Sequence, residues 1–167
     1  KEKSYLHIDV GGGSTELTFI VNGQIENSKS FSIGSVRLLE GKVSKKSWND
    51  MKEWIKNNTN SILRIKAIGS GGNINKIASM LGKKKGEYVP YNGIKILLKK
   101  IEAKDFHQRI TQFGLRPDRA DVIIHASKIY LNCMKWSKAQ KILVPQSGLA
   151  DGIIEQLYDN YKSVSKS

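Results

Sequence analysis

The residues best suited to chemistry lie in one run, Asp9-Val10-Gly11-Gly12-Gly13-Ser14-Thr15-Glu16. Consecutive glycines reach backbone angles closed to other residues, so several N–H groups can point into one concavity and hold an anion. Ser14 and Thr15 add hydroxyl donors. Asp9 can hold Mg²⁺ directly or through water, because hard cations prefer carboxylate oxygen. Glu16 is close enough in sequence to orient water or share the metal. An acid on each side, with hydroxyls between, favours a phosphate-cradling turn over a glycine-rich hairpin without a ligand, and phosphoanhydride chemistry or binding as its use. The run is neither a P-loop, which needs Gly-Lys-Ser/Thr, nor a dinucleotide fingerprint, which opens a helix.

Other segments could join it. Gly69-Ser70-Gly71-Gly72-Asn73 falls between a strand and a helix, where Gly71 and Gly72 admit a ligand to the backbone at a helix N-terminus. The same glycines would also serve packing alone. In Gly114-Leu115-Arg116-Pro117-Asp118-Arg119-Ala120-Asp121, Arg116 or Arg119 could reach a phosphate chain. Equally, Pro117 starts a helix whose dipole Asp118 or Asp121 offsets. Ser147-Gly148-Leu149-Ala150-Asp151-Gly152 reads as an architectural strand-to-helix turn. His7, His107 and His125 stand at no metal-ligand spacing, and there is no Gly-x-Ser-x-Gly elbow. Cys133, the single cysteine, sits among Tyr130, Leu131 and Met134 and reads as a buried structural thiol that suits a reducing cytoplasm. Trp48, Trp54 and Trp136 read as core or partner-facing residues.

The elements that must position these residues follow from pattern. Tyr5 to Val10 is a short apolar strand, Thr15 to Val21 a second, and Asn22-Gly23 a two-residue hairpin turn that returns Gln24 to Ile33 antiparallel. Ser47 can cap a helix carrying Trp48, Met51, Ile55 and Ile62. Arg64 to Ile68 is strand-like and precedes a helix with Ile74, Ile77, Ala78 and Leu81. Helices are expected over 93–102 and 105–113 and from Asp118 through Cys133, then a strand over 141–144 and a last helix through Ile153, Leu157 and Tyr161. The polar residues 162–167 read as a frayed tail. Three antiparallel strands followed by alternating helices and strands make a mixed α/β layer. That is the order of the ribonuclease-H-like, actin-like nucleotide-binding fold, here with a mixed five-stranded sheet and helices on both faces.

The 167 residues suffice for one domain with its own core. No stretch is apolar for long enough to span a membrane, and no signal peptide is expected. The net charge of +13 favours polyanionic partners, or else a solubilising lysine-rich surface. Nucleic acid is disfavoured, since charge alone speaks for it and no recognition motif does.

Taken in order, the motifs resemble the exopolyphosphatase/guanosine pentaphosphate phosphohydrolase family of the actin-like superfamily. The resemblance is carried by residues 8–17, by Ile33-Gly34-Ser35-Val36-Arg37-Leu38, by Gly69-Ser70-Gly71-Gly72, and by residues 115–121 and 147–152. It implies hydrolysis of the terminal phosphoanhydride of inorganic polyphosphate, or of the 5′-γ-phosphate of guanosine pentaphosphate, with Mg²⁺. Asp9 would be the metal-associated acid and Glu16 the catalytic carboxylate. Gly11, Gly12, Gly13, Ser14 and Thr15 would bind phosphate, with Gly71, Gly72, Arg116 and Arg119 lining its path. Family members face two such domains across a cleft, and this chain resembles the second. Its N-terminal partner domain, holding the expected general base, would lie outside it, and the chain alone would be inactive or nearly so. A homodimer is compatible with this reading. Where the family often has Arg-Glu in the last block, this chain has Ala150-Asp151. The competing reading is a non-catalytic sensor of polyphosphate or guanosine alarmones.

Overall fold

The computed structural model describes residues 3–62 and 65–145. Their sheet has six strands in the order β3-β2-β1-β4-β6-β5. The first three, β1 (Ser4–Val10), β2 (Thr15–Val21) and β3 (Gln24–Phe31), form the antiparallel meander expected from the sequence. Asn22 and Gly23 both take positive φ, 50° and 84°, the pairing a tight hairpin needs to match strand twist. β4 (Ile65–Ser70) lies parallel to β1, and β6 (Lys141–Leu143) parallel to β4.

The sixth strand, β5 (Tyr88–Pro90), pairs antiparallel with β6 and corrects the expected count of five. Three residues ending in Pro90 offer no alternating pattern to read. A second correction concerns residues 31–39. The third strand stops at Phe31, and a short helix α1 (Ser35–Leu39) follows Gly34. Helix α2 (Lys45–Thr59) starts earlier than expected, because Ser44 is the cap and accepts from the backbone N–H of Ser47 at 3.0 Å. Asp105 and Gln108 close a capping box on α5 (Phe106–Phe113), and Gly114 ends it in a left-handed conformation. The helix foreseen from Asp118 begins at Val122 as α6 (Val122–Ser137); residues 116–121 form the turns before it. The last helix, the tail and the block from Ser147 to Gly152 lie outside the described residues.

Helices α1, α2, α3 (Gly72–Met80) and α4 (Tyr91–Glu102) gather round α6, which lies against β1. Strand alternation decides which residues meet them. Leu6, Ile8 and Val10 of β1 join Leu17 and Phe19 of β2 and Ala67 of β4 in one core with Met51, Ile55 and Ile129. Each fully buried Leu or Ile there contributes about 1.5–3 kcal/mol. The intervening residues Tyr5, His7 and Asp9 point to the opposite face, where Ile20 and Ile68 are buried outside that core. The carboxylates of the glycine turn therefore stand on the sheet face away from the main core.

Cys133 and Tyr130 are wholly buried on α6. Burial pushes the Cys133 thiol up to about 12. Burial, and then the negative charge of Asp9, hold the Tyr130 phenol well above its ordinary 10.0. Both acids are raised in the folded state, so their stabilisation is complete below the unfolded values and erodes as pH climbs through the folded ones. The thermal midpoint should hold as pH rises to about 9 and fall beyond it, and the folded thiol should resist disulfide reagents at pH 8.

Candidate phosphate-binding site

The glycine turn is held from behind. Its carbonyls are taken by the first turn of α1: Ser35 N–H donates to Gly11 O at 2.9 Å, and the N–H groups of Val36 and Arg37 donate to Gly12 O at 3.0 and 3.1 Å. Arg37 Nε donates to Gly13 O at 3.0 Å. Gly11 N–H closes the turn onto Ser14 O at 2.9 Å. With the carbonyls fixed inward, the N–H groups of Gly12 and Gly13, both exposed, have no acceptor among the described residues. That is the donor arrangement an anion requires.

Gly34 makes the packing possible. Its backbone is extended, at φ −135°, so the glycine is needed for space alone: a Cβ there would collide with the backbone of Gly12 and Gly13. Beside the turn opens a cavity of about 390 Å³ walled by Gly12, Gly13, Val36, Arg37, Glu40 and Lys42.

Sheet register brings the two acids together. Asp9 pairs with Glu16 across β1 and β2, Glu16 with Ser30 across β2 and β3, and Asp9 with Ser70 across β1 and β4. Ser30, Glu16, Asp9 and Ser70 thus form one transverse row on a single sheet face. Directly opposed like charges are unfavourable, and neither carboxylate has an ion-pair partner among the described residues. Two such carboxylates fit Mg²⁺ shared with substrate phosphates and waters. They do not make an all-protein cage: no group of three metal-ligating side chains occurs among the described residues.

The second glycine segment meets the first. Gly71, at φ 99°, caps α3, and a Cβ on it would lie 2.9 Å from Asp9 Oδ1. Asn73, nearly buried, ties the parts together. Its Nδ2 donates to Val10 O at 3.4 Å, and its Oδ1 accepts from Arg119 Nη1 at 3.2 Å. The Arg119 guanidinium lies against Gly72, 2.7 Å from where a Cβ would stand. Tyr130 OH donates to Ser70 O at 2.8 Å, and His7 Nε2 meets Ser70 Oγ at 3.0 Å.

Of the residues singled out from sequence, Asp9, Gly11, Gly12, Gly13, Ser14, Glu16, Gly71, Gly72 and Arg119 come together at the ends of β1 and β4. Two do not. Thr15 is wholly buried and its hydroxyl donates inward to Ile33 O at 2.6 Å, so that hydroxyl is committed to the fold and not to phosphate. Arg116 is exposed and paired with Asp118 at 3.1 Å. Asn73, Arg37, Ser30 and Tyr130 were not foreseen as site residues. Asn73 and Arg37 are the largest polar side chains of the segments 69–73 and 33–38, and their place there is a usable sequence signal. Ser30 and Tyr130 carried no sequence signal.

The six-stranded α/β domain, with its glycine turn beside two facing carboxylates, has the actin-like fold expected from the sequence. More narrowly, residues 1–161 match the Ppx/GppA phosphatase family, and the chain belongs to that family. It is 28% identical over 178 aligned residues to a bifunctional 3-dehydroquinate synthase/phosphatase of Fusobacterium nucleatum, covering 93% of this chain and 26% of that protein. Solved structures share the fold. A Ppx/GppA family member from Aquifex aeolicus aligns with a TM-score of 0.68 at 22% identity, over 96% of this chain and 58% of the other. An exopolyphosphatase from Cytophaga hutchinsonii aligns with a TM-score of 0.67 at 20% identity, over 93% and 58%. The chain therefore spans little more than half the length of these structures, and about a quarter of the Fusobacterium protein. No helix among the described residues is long and apolar enough to cross a membrane.

Proposed function

We propose that the chain supplies one wall of an interdomain phosphohydrolase site, in a longer protein whose N-terminal domain supplies the other. The substrate is inorganic polyphosphate or guanosine pentaphosphate. The observation that carries this reading is the facing pair Asp9 and Glu16 beside a turn whose Gly12 and Gly13 N–H groups are free to bind. The exopolyphosphatase among the structural neighbours supports the substrate class.

In this reading the turn amides and the Ser14 hydroxyl bind the terminal phosphate, donating where negative charge develops in transfer. Arg119, steadied by Asn73, meets the next phosphate from the α3 side. Glu16 orients the attacking water, and Asp9 would hold the metal. Mg²⁺, when bound, would neutralise the phosphoryl oxygens and draw substrate and carboxylates together. Positioning from one side of a cleft is incomplete, so the isolated chain should turn over little or nothing.

The two arginines separate the parts of this proposal. In the full-length protein, Arg119→Ala should raise KM for polyphosphate about tenfold, the cost of a lost charge-assisted contact. Arg116→Ala should leave it within about twofold, because that pair is exposed and weak. The reading as a whole is tested by phosphate release from polyphosphate and from guanosine pentaphosphate, with Mg²⁺ and with a chelator. Turnover of either substrate that stops with the chelator is expected; metal-dependent binding without turnover would assign a sensor instead.

A further inference from the structure

We infer that Ser30, outside every motif, is the positioning residue for Glu16. The inference rests on the reading of Glu16 as the carboxylate that places water.

Counting from the hairpin pair Val21 and Gln24 would set Lys29 opposite Glu16. An irregularity between Phe19 and Ile20 shifts the ladder by one residue, so Ser30 stands opposite Glu16 and Lys29 opposite Leu17. Lys29 then lies with its ammonium 5.3 Å from the centre of the Phe31 ring. The shift has a chemical consequence. A lysine facing Glu16 would compete for the carboxylate with its full charge, whereas a serine gives it one hydrogen bond and leaves its charge for the reaction.

Ser30 Oγ donates to Glu16 Oε1 at 3.1 Å, and Ser14 Oγ donates to the same oxygen at 2.6 Å. Both donors therefore hold Oε1, and Oε2 has no hydrogen-bond partner among the described residues. Glu16 is exposed, so packing does not fix its rotamer; these two bonds do. The donors differ in what else they serve. A serine hydroxyl has one proton to give, and Ser14 lies in the turn that binds phosphate. Once Ser14 turns to the substrate, Ser30 is the donor that keeps Oε1 in place and Oε2 toward the incoming water.

The test uses the full-length protein with Ser30→Ala, Ser30→Thr, Glu16→Ala and the double variant Ser30→Ala/Glu16→Ala, assayed for phosphate release from polyphosphate. Ser30→Ala should lower kcat about tenfold with KM within twofold, a positioning effect, and should leave the thermal midpoint unchanged because Ser30 is exposed. Ser30→Thr, which keeps the hydroxyl, should recover most of the rate. In the Glu16→Ala background Ser30→Ala should cost nothing more, since a residue acting only through Glu16 has no further effect once it is gone. A wild-type kcat for Ser30→Ala, or the same tenfold loss with Glu16 already removed, overturns the inference while leaving Glu16 in place. Full activity in Glu16→Ala alone would instead remove the site reading beneath it.

Discussion

Glu16→Ala in the full-length protein is expected to lower kcat for phosphate release about 10³-fold while moving KM little. The magnitude is that of losing a positioned acid–base or water-orienting group, roughly 10²–10⁴. The direction of the split follows from geometry: Glu16 is exposed on β2 beside the turn, whereas the donors proposed for phosphate, the amides of Gly12 and Gly13 and the hydroxyl of Ser14, stay in place when Glu16 is removed. An effect confined to KM would make Glu16 a binding residue only. Folding should be untouched, because Glu16 has hydrogen bonds only from exposed or half-buried serines. Removal of one acid also relieves its opposition to Asp9, so the thermal midpoint of Glu16→Ala should equal or slightly exceed that of the parent protein.

Gly34→Ala is the second large effect, and it acts on the scaffold. The new Cβ would meet the backbone of Gly12 and Gly13, which cannot swing aside as a flexible side-chain end can. Either α1 or the turn must move, and both are tied by the three hydrogen bonds from Ser35, Val36 and Arg37. Overpacking of this kind costs about 3 kcal/mol, a fall of roughly 10 °C in thermal midpoint for a domain of this size. Phosphate binding should go with it. Gly13→Ala is the control: a Cβ there meets nothing within 4 Å, so stability should stay within about 0.5 kcal/mol. Equal losses for the two variants in urea titrations would contradict this account of the turn.

The fold was largely legible because its cues are local. Alternation in β1 and β2, the Asn22-Gly23 hairpin and the glycines after β1 and β4 each announce themselves over a few residues. The misses have physical reasons. β5 is too short to alternate, and α1 is too short for helical periodicity to emerge. Ser44 and Ser47 are equivalent as caps in sequence, and only the first helical turn decides between them. In the site, the turn was legible as chemistry, but what faces Glu16 was not. A register shift between Phe19 and Ile20 exchanges Lys29 for Ser30, and no composition signal marks that shift. Thr15 misled for a similar reason: its position looks like the rest of the cradle, yet strand alternation turns it into the core. The pairing of Arg119 with Asn73 spans 46 residues and becomes visible only when α3 and the turn before α6 meet.

The claim at the centre of this account is that the amides of the glycine turns receive the phosphates. Glycine-selective ¹⁵N labelling of the full-length protein, titrated with tripolyphosphate in Mg²⁺, reads those amides directly. The resonances of Gly12, Gly13, Gly71 and Gly72 should move together and saturate at one affinity, while Gly41, Gly82 and Gly86 stay still. Unmoved turn glycines, with shifts at Gly82 and Gly86 beside the Lys83-Lys84-Lys85 run, would mean that phosphate merely gathers on a basic loop, and would contradict it.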